Sequence, residues 1–377
     1  MKRKITIADV AEAAGVSRQT VSRVLNAKGE ISAETRERVR RVIERLGYRP
    51  HVMASGLAGG RARCIGLIVT QPADEAPTNP FFLSVIYGAS LEAEQRRYAL
   101  AIKYAPAETV LRLRERLFER GQVDGMIILR AHRECAQAFA EPRPERAPVL
   151  LIGDFPPECP CPSLDIDNAQ GMRLLAEHLL EHGYKRIAIL CHGPPGHATA
   201  DARLHAALEV LQGHGVPVPP EFVLWTNSTL HDAYRQTRRL LSSPRLPRAI
   251  MVTNDWTAMA VLRAARDAGL RVPEDVAVTG FDDLPLAPYL EPPLTTVVFS
   301  GFDLGREAMR WMIEYVETAQ PPPRAYLPVR LVIRRSCGCP YPELSLESRA
   351  CAPAAAQDAD IVQDSSTSGG HRYGTGR

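Results

Sequence analysis

The 377-residue sequence has no stretch of about 18 consecutive apolar residues, so it predicts no membrane-spanning helix. Its first ten residues, MKRKITIADV, are basic but lack the apolar core of a secretory signal. We therefore expect the chain to stay in the cytoplasm and to make no contact with a membrane. Its 45% hydrophobic and 24% charged residues are ordinary for a soluble globular protein.

Motifs of the common enzyme classes are also missing. GxGxxG, HExxH and GxSxG do not occur, and the GPPG at 193–196 lacks the Lys-Ser/Thr that would follow in a phosphate-binding loop. His192, His197 and His205 lie close in sequence but without clear metal-ligand spacing, which favours surface or supporting roles. The sequence predicts no catalytic residue, and a binding protein rather than an enzyme.

The eight cysteines indicate neither a disulfide framework nor a metal centre. In a cytoplasmic protein they should be reduced thiols, because structural disulfides are rare in that compartment. Cys159 and Cys161, like Cys337 and Cys339, are separated by one residue, which is closer than the usual spacing of zinc ligands. No histidine pattern accompanies either pair in the sequence. We predict no metal site and no cofactor.

The N-terminus, by contrast, is strongly patterned. Thr6 can cap a first helix, with Asp9 completing a capping box, and apolar residues then recur at helical spacing. A short turn follows, and Ser17 can cap a second helix. A third helix runs from about Ala33 and ends at Gly47. Two short helices joined by a tight turn and braced by a third predict an all-α helix-turn-helix domain over residues 1–49.

The charges of this segment predict a DNA-binding surface. Residues 1–63 hold 14 Lys and Arg against 6 Asp and Glu, a net charge of +8; since the whole chain is +3, residues 64–377 carry −5. We call residues 1–63 the head and the remainder of the chain the body. A basic head and an acidic body are expected when only the head contacts the phosphates of DNA. Arginine and glutamine can read guanine and adenine bidentately in the major groove. The predicted DNA-binding residues of the head are Thr6, Ser17, Arg18, Gln19, Ser22, Arg23 and Asn26. The alternative is an ordinary three-helix cap with a solvated charged face.

The segment TIADVAEAAGVSRQTVSRVLN, followed by SAETRERV and LGYRP, resembles the head of the LacI-type (lactose-repressor) family of bacterial transcription regulators. The resemblance implies a hinge helix and linker over residues 50–63, with the helix folding only on operator DNA. Leu57 matches the leucine that the family inserts into a minor-groove step, and Ala54 matches the small residue before it. Gly56 departs from the usual pattern. Because glycine costs roughly 1 kcal/mol in a helix, this hinge should be weakly preformed.

From Cys64 onward, strand-like and helix-like segments alternate, which predicts α/β architecture with parallel sheets and helices on both faces. A break near 163–167 indicates two similar lobes with a ligand site between them. The family resemblance implies the same two-lobed, periplasmic-binding-protein-like body over 64–341, which also dimerises. By position, the chain should cross between lobes near Asp165, Thr295 and Pro328. A helix at 304–318 and a strand at 329–334 should close the lobes, and the polar segment 342–377 is predicted to be disordered.

Five residues match positions at which the family contacts its ligand: Phe81 and Phe82 in NPFF, Arg203 in RLHAAL, Asn254 in TND and Asp282 in GFDD. Asp167 and Asn168, in a DNxxG pattern completed by Gly171 at the first crossing, are a less specific match. An aromatic ring can stack on a sugar or a base. Arginine can donate hydrogen bonds to two adjacent oxygens at once, and aspartate can accept hydrogen bonds from two hydroxyls. Each residue also has a structural alternative as a core aromatic, a helix cap or a surface residue.

Departures from the family pattern indicate a reshaped pocket. Ser228 stands where the family usually has an aromatic residue, Phe299 stands where a glutamine is common, and Trp256 is unusual. No particular sugar can therefore be carried over.

Together these features predict a repressor whose affinity for operator DNA is controlled by a small molecule, a sugar or sugar derivative. A homodimer, which could pair further into a tetramer, is needed because two heads at fixed spacing read a pseudo-palindrome. Two alternatives stay open. The ligand could act as a corepressor, as in the purine-responsive branch of the family, or the body could be a sugar-binding module whose head does not bind DNA.

Overall fold

The computed structural model describes residues 5–25, 31–47, 61–70, 79–106, 109–119, 121–129, 148–153, 161–340 and 362–363. These fall into two compact units. One comprises the head up to Cys64 together with 115–124, and the other comprises the remainder of the body. No helix in the described ranges is long and apolar enough to cross a membrane.

The head contains the three predicted helices, α1 (Ile7–Ala14), α2 (Arg18–Leu25) and α3 (Ala33–Leu46). The capping box at the start of α1 is complete: Asp9 N–H donates to the Thr6 hydroxyl, and Thr6 N–H donates to the Asp9 carboxylate at 2.7 Å. Gly15 adopts the left-handed conformation that ends α1 and begins the turn. The three helices pack through a small aliphatic core consisting of Val10, Ala11, Ala14, Val21, Val24, Val39 and Val42. The predicted helix-turn-helix unit is confirmed.

In the described part of the body the strands are β1 (Cys64–Thr70), β2 (Ala99–Ala105), β3 (Gly125–Leu129), β4 (Val149–Ile152), β5 (Ser163–Ile166), β6 (Ile187–Cys191), β7 (Val223–Trp225), β8 (Ala249–Val252), β9 (Ala277–Thr279), β10 (Thr296–Val298), β11 (Ala325–Leu327), β12 (Arg330–Val332) and β13 (Val362–Gln363). The helices are α4 (Pro80–Gln95), α5 (Val110–Glu119), α6 (Asn168–Glu181), α7 (Ala198–Gly213), α8 (Leu230–Leu241), α9 (Asp255–Asp267) and α10 (Gly301–Thr318). Short 3-10 turns lie at Pro220–Phe222, Ala287–Tyr289 and Arg335–Cys337.

These strands build two main sheets, one for each lobe. The first has the order β13-β11-β5-β4-β3-β1-β2, and the second has the order β7-β6-β8-β9. The pairings β1–β3, β3–β4, β4–β5 and β5–β11 are parallel, as are all three pairings of the second sheet. The strand order reverses between β1 and β3 in the first lobe and between β6 and β8 in the second. Each lobe therefore has a topological switch point, beside which open α/β sheets bind ligands.

Helices cover both faces of the second sheet, because all five residues of β6 are buried and successive residues belong alternately to two different core clusters. Ile187, Ile189 and Cys191 belong to one core cluster, together with apolar residues of α6 and α7. Ala188 and Leu190 belong to another, together with residues of α8 and α9. Because side chains alternate between the faces of a strand, a continuous apolar run is what a strand buried on both faces requires. The predicted doubly covered parallel sheet is confirmed.

The predicted strand at 329–334 is present but shorter, as β12 (Arg330–Val332), and a second short strand that was not predicted, β11, precedes it on the other side of Pro328. β11 pairs with β5 of the first sheet, whereas β12 pairs antiparallel with β10 in a separate two-stranded ribbon. Proline has no N–H to donate to a ladder, so the strand is interrupted where the chain passes between lobes. The strands β10 and β11 were not predicted, because three residues are too few to show a period.

After the second crossing, α10 packs closely on α4 of the first lobe. A side-chain carbon at Gly88 would collide with the carbonyl of Phe302, and one at Gly305 would collide with the carbonyl of Val85. Glycine is needed at both positions because the two helix backbones touch there. This contact fixes α10 to the first lobe, while Leu83 and Tyr87 of α4 stay exposed.

Two predicted segments lie almost wholly outside the described residues. They are the hinge and linker at 50–63, which include Ala54 and Leu57 and of which only 61–63 are described, and the tail at 342–377. Within the tail, Val362–Gln363 pairs antiparallel with β11, so the prediction of disorder is wrong for these two residues. The pairing adds an edge strand to the first sheet.

Candidate functional site

The outer side of α2 carries the polar residues predicted to meet DNA. Arg18, Gln19 and Arg23 are exposed and Ser22 is half-buried, while Val21 and Val24 of the same helix lie in the head core. Thr6 and Ser17 are exposed at the starts of α1 and α2, where their hydroxyls accept backbone N–H groups. A short helix anchored by its apolar face and presenting long hydrogen-bonding side chains can enter a major groove. Asn26 lies outside the described residues.

In the body, Arg203 and Asp282 form a buried ion pair, with Nη1 and Oδ1 3.4 Å apart. Arg203 is only 4% exposed, and its Nε donates to Asn168 Oδ1 at 2.7 Å while Nη1 also donates to the carbonyl of Thr253. Its guanidinium carbon stands 3.6 Å from the ring centroid of Phe281. Arg203 is therefore not a surface helix residue. The structure brings it together with Asp282 and with Asn168 of the DNxxG pattern.

Asp282 occupies a strained position. Its φ is +118°, a region that side-chain-bearing residues rarely adopt. Its N–H donates to the carbonyl of Val297 at 2.9 Å, which fixes the strained backbone against β10. Such conformations cost about 1–3 kcal/mol and occur most often at functional sites. Desolvation raises the pKa of Asp282, and the guanidinium of Arg203 opposes the shift by favouring the charged carboxylate.

Asn254 has the structural role that the sequence left open. Its Oδ1 accepts from the backbone N–H of Thr257 at 2.9 Å and from the Thr257 hydroxyl, so the side chain caps α9. It is 6% exposed. The cap accounts for the oxygen of the side chain, and contact with a ligand stays a prediction.

Phe81 and Phe82 lie in the first turn of α4, which Asn79 caps by accepting the Phe81 N–H at 3.0 Å. Both rings are half-buried, and their centroids are 5.6 Å apart. Phe81 also meets Phe299 edge-on at 5.7 Å, and Phe299 lies 6.1 Å from Phe281. A continuous row of aromatic rings thus connects α4 of the first lobe with the guanidinium of Arg203.

Three polar residues at the carboxyl ends of the strands of the second sheet were not among the predicted effector-binding residues. The backbone N–H of His192, just after β6, donates to Thr253 Oγ1 at 2.8 Å, and its ring Nδ1 lies 2.7 Å from the same oxygen. Ser228, after β7, donates to the carbonyl of His192. β6 and β8 flank the switch point of this sheet, so parallel-sheet topology was the signal that could have located His192 and Thr253.

Asp255, the first residue of α9, is a second buried carboxylate. Its two oxygens accept from the Thr296 hydroxyl at 2.6 Å and from the Leu284 N–H at 2.9 Å. Desolvation raises the pKa of Asp255 to about 7, and the hydrogen bond from Thr296 only partly offsets it. The folded protein therefore keeps a proton on Asp255 at pH values where the unfolded chain has released it.

This proton makes stability depend on pH. The contribution of Asp255 is complete below about pH 4 and is lost as pH rises through about 7, with a slope of at most about 1.4 kcal/mol per pH unit. We expect Asp255→Asn, which keeps the shape without the titration, to make the decline of the unfolding free energy shallower across this window, while Asp282, whose pKa is also raised by desolvation, keeps its own share of the decline. Asp267→Asn is the control, since Asp267 is an exposed carboxylate near the end of the same helix. Urea denaturation across this pH range measures both, and an unchanged slope in Asp255→Asn would contradict the assignment.

Comparison with known proteins places these features in one family. The family described as "Bacterial regulatory proteins, lacI family" matches residues 6–51, and a "Periplasmic binding protein-like domain" matches residues 176–337. The HTH-type transcriptional regulator CelR of Thermobifida fusca is 33% identical over 345 residues, which cover 89% of this chain and 99% of CelR. The chain belongs to the LacI family.

Other regulators are similar to this chain, in sequence or in structure, along most of its length. The HTH-type transcriptional repressor CytR of Escherichia coli K12 is 30% identical over 316 residues, covering 83% of this chain and 90% of CytR. The lac repressor dimer bound to operator and the anti-inducer ONPF superposes with a TM-score of 0.78 at 29% identity, covering 89% of this chain and 99% of that one. The CelR–cellobiose complex gives a TM-score of 0.65 at 30% identity, covering 88% and 100%.

Proposed function

We propose that this LacI-family regulator is a homodimeric transcriptional repressor whose affinity for a pseudo-palindromic operator is set by a small molecule held between the lobes of its body. It would act in the cytoplasm, where operator DNA is found, and without catalysis. One observation carries the effector control. The buried Arg203–Asp282 pair is hydrogen-bonded to the segments by which the chain passes between its lobes.

Arg203 reaches the first of these segments through Asn168, whose Nδ2 donates to Asp165 Oδ2 at 2.8 Å. Asp282 reaches the second segment through its backbone contact with Val297. A ligand that hydrogen-bonds to this pair would alter groups that hold both crossings. An effector can act only through different affinities for two arrangements of the lobes, and here those arrangements would differ at the bound side chains themselves.

We propose a carbohydrate, or a molecule with a sugar ring, as the effector. The relative CelR has been solved with cellobiose, and the lac repressor with ONPF. In this chain, an arginine, a carboxylate and a half-buried aromatic pair offer the hydrogen bonds and the stacking surface that a polyol needs. We assign ligand contact to Arg203, Asp282, Phe81 and Phe82. Asn254 is assigned to the edge of the pocket, because its oxygen already caps α9.

The outward face of α4 is the proposed dimer contact. Leu83 and Tyr87, one helical turn apart, are 66% and 60% exposed. Two large apolar side chains on one helix face are typical of a surface that a partner covers. Because a helix-turn-helix reader needs two heads at fixed spacing, the same face would set the spacing of the heads.

Leu83→Glu should therefore shift the protein from dimer to monomer in sedimentation experiments at micromolar concentration, because it places a charge in an apolar contact. Gln95→Glu adds the same charge to an exposed position on the same helix and should leave the dimer intact. Dimers of equal stability in both variants would show that α4 is not the contact.

The effector proposal is tested with an operator selected from random DNA. Carbohydrates, nucleosides and a cell metabolite extract are screened by thermal shift of the full-length protein, and operator affinity is then measured with and without each ligand found. We expect a bound carbohydrate to weaken operator affinity by about 5- to 150-fold, the usual size of allosteric coupling. Tighter binding would identify a corepressor instead. Ligands that stabilise the protein but leave operator affinity unchanged would contradict effector control.

A further inference from the structure

Four potential metal ligands converge in the second lobe, away from the proposed effector site. His178 and His182 lie at the end of α6, and Cys337 and Cys339 lie in the turn after β12. One donor atom from each of these residues lies within 4.8 Å of the other three. At about 1.5 Å per residue, His182 is roughly 20 Å along α6 from Asn168, so this cluster is separate from the Arg203–Asp282 pair. We propose that these four side chains bind a structural zinc ion.

The distances suit tetrahedral zinc. His178 Nε2 lies 3.2 Å from Cys337 Sγ and 3.8 Å from Cys339 Sγ, and His182 Nε2 lies 3.0 Å from Cys339 Sγ. Zinc–sulfur bonds of about 2.3 Å and zinc–nitrogen bonds of about 2.0 Å place neighbouring ligands roughly 3.3–3.8 Å apart in a tetrahedron. Shifts of a few tenths of an ångström would therefore admit the ion. Two thiolates and two imidazoles in this arrangement favour zinc over harder divalent ions.

The backbone presents the four groups to one point. Histidines four residues apart lie on the same face of a helix, so both rings can face the turn that carries the two cysteines. Gly338, between the cysteines, has φ +102°, and this left-handed residue turns the chain so that both sulfurs face α6. Glycine is favoured there because a side chain would strain that conformation.

Neighbouring groups hold Cys337 in place. The Thr295 hydroxyl donates to Cys337 Sγ at 3.1 Å, and the Tyr184 hydroxyl donates to the Cys337 carbonyl at 3.1 Å. Hydrogen bonds from such supporting groups orient metal ligands and strengthen binding. Cys337 and His178 are buried, whereas Cys339 is half-buried and His182 is exposed. The metal could therefore enter from the His182 side and be held by a rigid inner pair.

Zinc here would fasten the end of the body to the first helix of the second lobe. Cys337 follows β12, beyond the third crossing, and Thr295 stands next to β10 at the second crossing. The ion would stabilise the ribbon of β10 and β12 against α6. The sequence prediction found no histidine partner for this cysteine pair because the histidines lie about 160 positions away, and only the fold brings them close.

The test uses untagged, full-length protein purified under reducing conditions. Zinc per protomer is measured by elemental analysis, and a cobalt-substituted sample is examined for the visible absorption of tetrahedral thiolate-bound Co²⁺. We expect one zinc ion per protomer. Cys339→Ser and His182→Ala, which change the outer ligands and spare the buried pair, should abolish stoichiometric binding and the cobalt spectrum. Cys64→Ser and His205→Ala are matched controls outside the cluster and should keep both.

Removal of zinc by a chelator should lower the unfolding temperature of the wild type but not of Cys339→Ser, since a metal stabilises only the state that binds it. The proposal is overturned if reduced wild-type protein binds no zinc when it is supplied in slight excess. It is also overturned if the ligand variants bind as much zinc as the controls. Detection by mass of a Cys337–Cys339 disulfide in protein kept reduced would overturn it as well.

Discussion

Arg18→Ala should weaken operator binding by roughly 30-fold to more than 10⁴-fold. Arg18 is exposed in the first turn of α2, while the helix is anchored through Val21 and Val24. A bidentate contact between arginine and guanine contributes about 1–3 kcal/mol, and a dimer makes it twice. The head core does not involve the side chain, so the variant should fold normally. Competition binding on the selected operator and on single-base variants measures the loss.

Arg38→Ala is the matched control for this prediction. Arg38 is an equally exposed arginine, but it lies on α3. Loss of its charge should weaken binding to all sequences alike and by a smaller factor, since contacts with phosphates carry no base preference. Arg18→Ala should in addition relax the preference at one base pair of each half-site. Equal, sequence-independent losses in the two variants would show that α2 does not read bases.

Asp282→Asn should abolish the response to effector and also lower the unfolding free energy by about 3–5 kcal/mol. The change leaves the buried Arg203 charge without its carboxylate, and breaking a buried ion pair costs about that much. A lost hydrogen bond between a charged group and a ligand hydroxyl is worth about 1.5–3 kcal/mol, or roughly 10- to 150-fold in effector affinity. Affinity for the operator in the absence of effector should survive, because the head is untouched.

A substitution at the neighbouring Asp283 separates the loss of effector contact from the loss of stability. Asp283 forms its own ion pair with the buried Arg334, with Oδ1 2.6 Å from Nη2. Asp283→Asn should therefore destabilise the same loop by a comparable mechanism but leave the effector response intact. Calorimetric titration with the effector and operator-binding assays compare the variants below their unfolding temperatures. If both lose the response equally, destabilisation explains the loss and Asp282 is not a ligand contact.

The head could be predicted from sequence because its signals are local. The capping box of Thr6 and Asp9, the glycine at the end of α1 and the valine spacing of α2 each act within one or two turns of chain. Hydrogen bonds over three or four residues determine such helices almost independently of tertiary context. The role of Leu57 as a minor-groove lever stays a prediction, since it lies outside the described residues.

In the body, the alternation of strands and helices could be predicted from the sequence. The short strands at the crossings between the lobes could not. Buried parallel strands such as β3 are continuous apolar runs in the sequence, so their presence can be predicted without knowledge of the tertiary structure. β11 and β12 are three residues each and exist because β5 and β10 offer them partners. Pairing of this kind is a property of the assembled lobes, and local sequence does not encode it.

The candidate site was predicted residue by residue, but its connections were not. Motif matches indicated Arg203 and Asp282 separately, whereas their ion pair joins residues 79 positions apart. The aromatic row through Phe299 and the cluster of His178 with Cys337 likewise depend on long-range packing. Side chains from distant segments meet only through tertiary structure, so spacing rules that assume neighbouring ligands overlook them.

The central claim is tested most directly by selecting binding sites from random duplex DNA. The intact protein is used beside a truncated chain that begins at Cys64, and each selection is run with and without cell metabolite extract, because a corepressor could be required. We expect the intact protein alone to enrich a two-fold pseudo-palindrome, as two α2 helices at fixed spacing demand. Failure of the intact protein to enrich any sequence under either condition, or equal enrichment by the truncated chain, would contradict the assignment of a dimeric DNA reader.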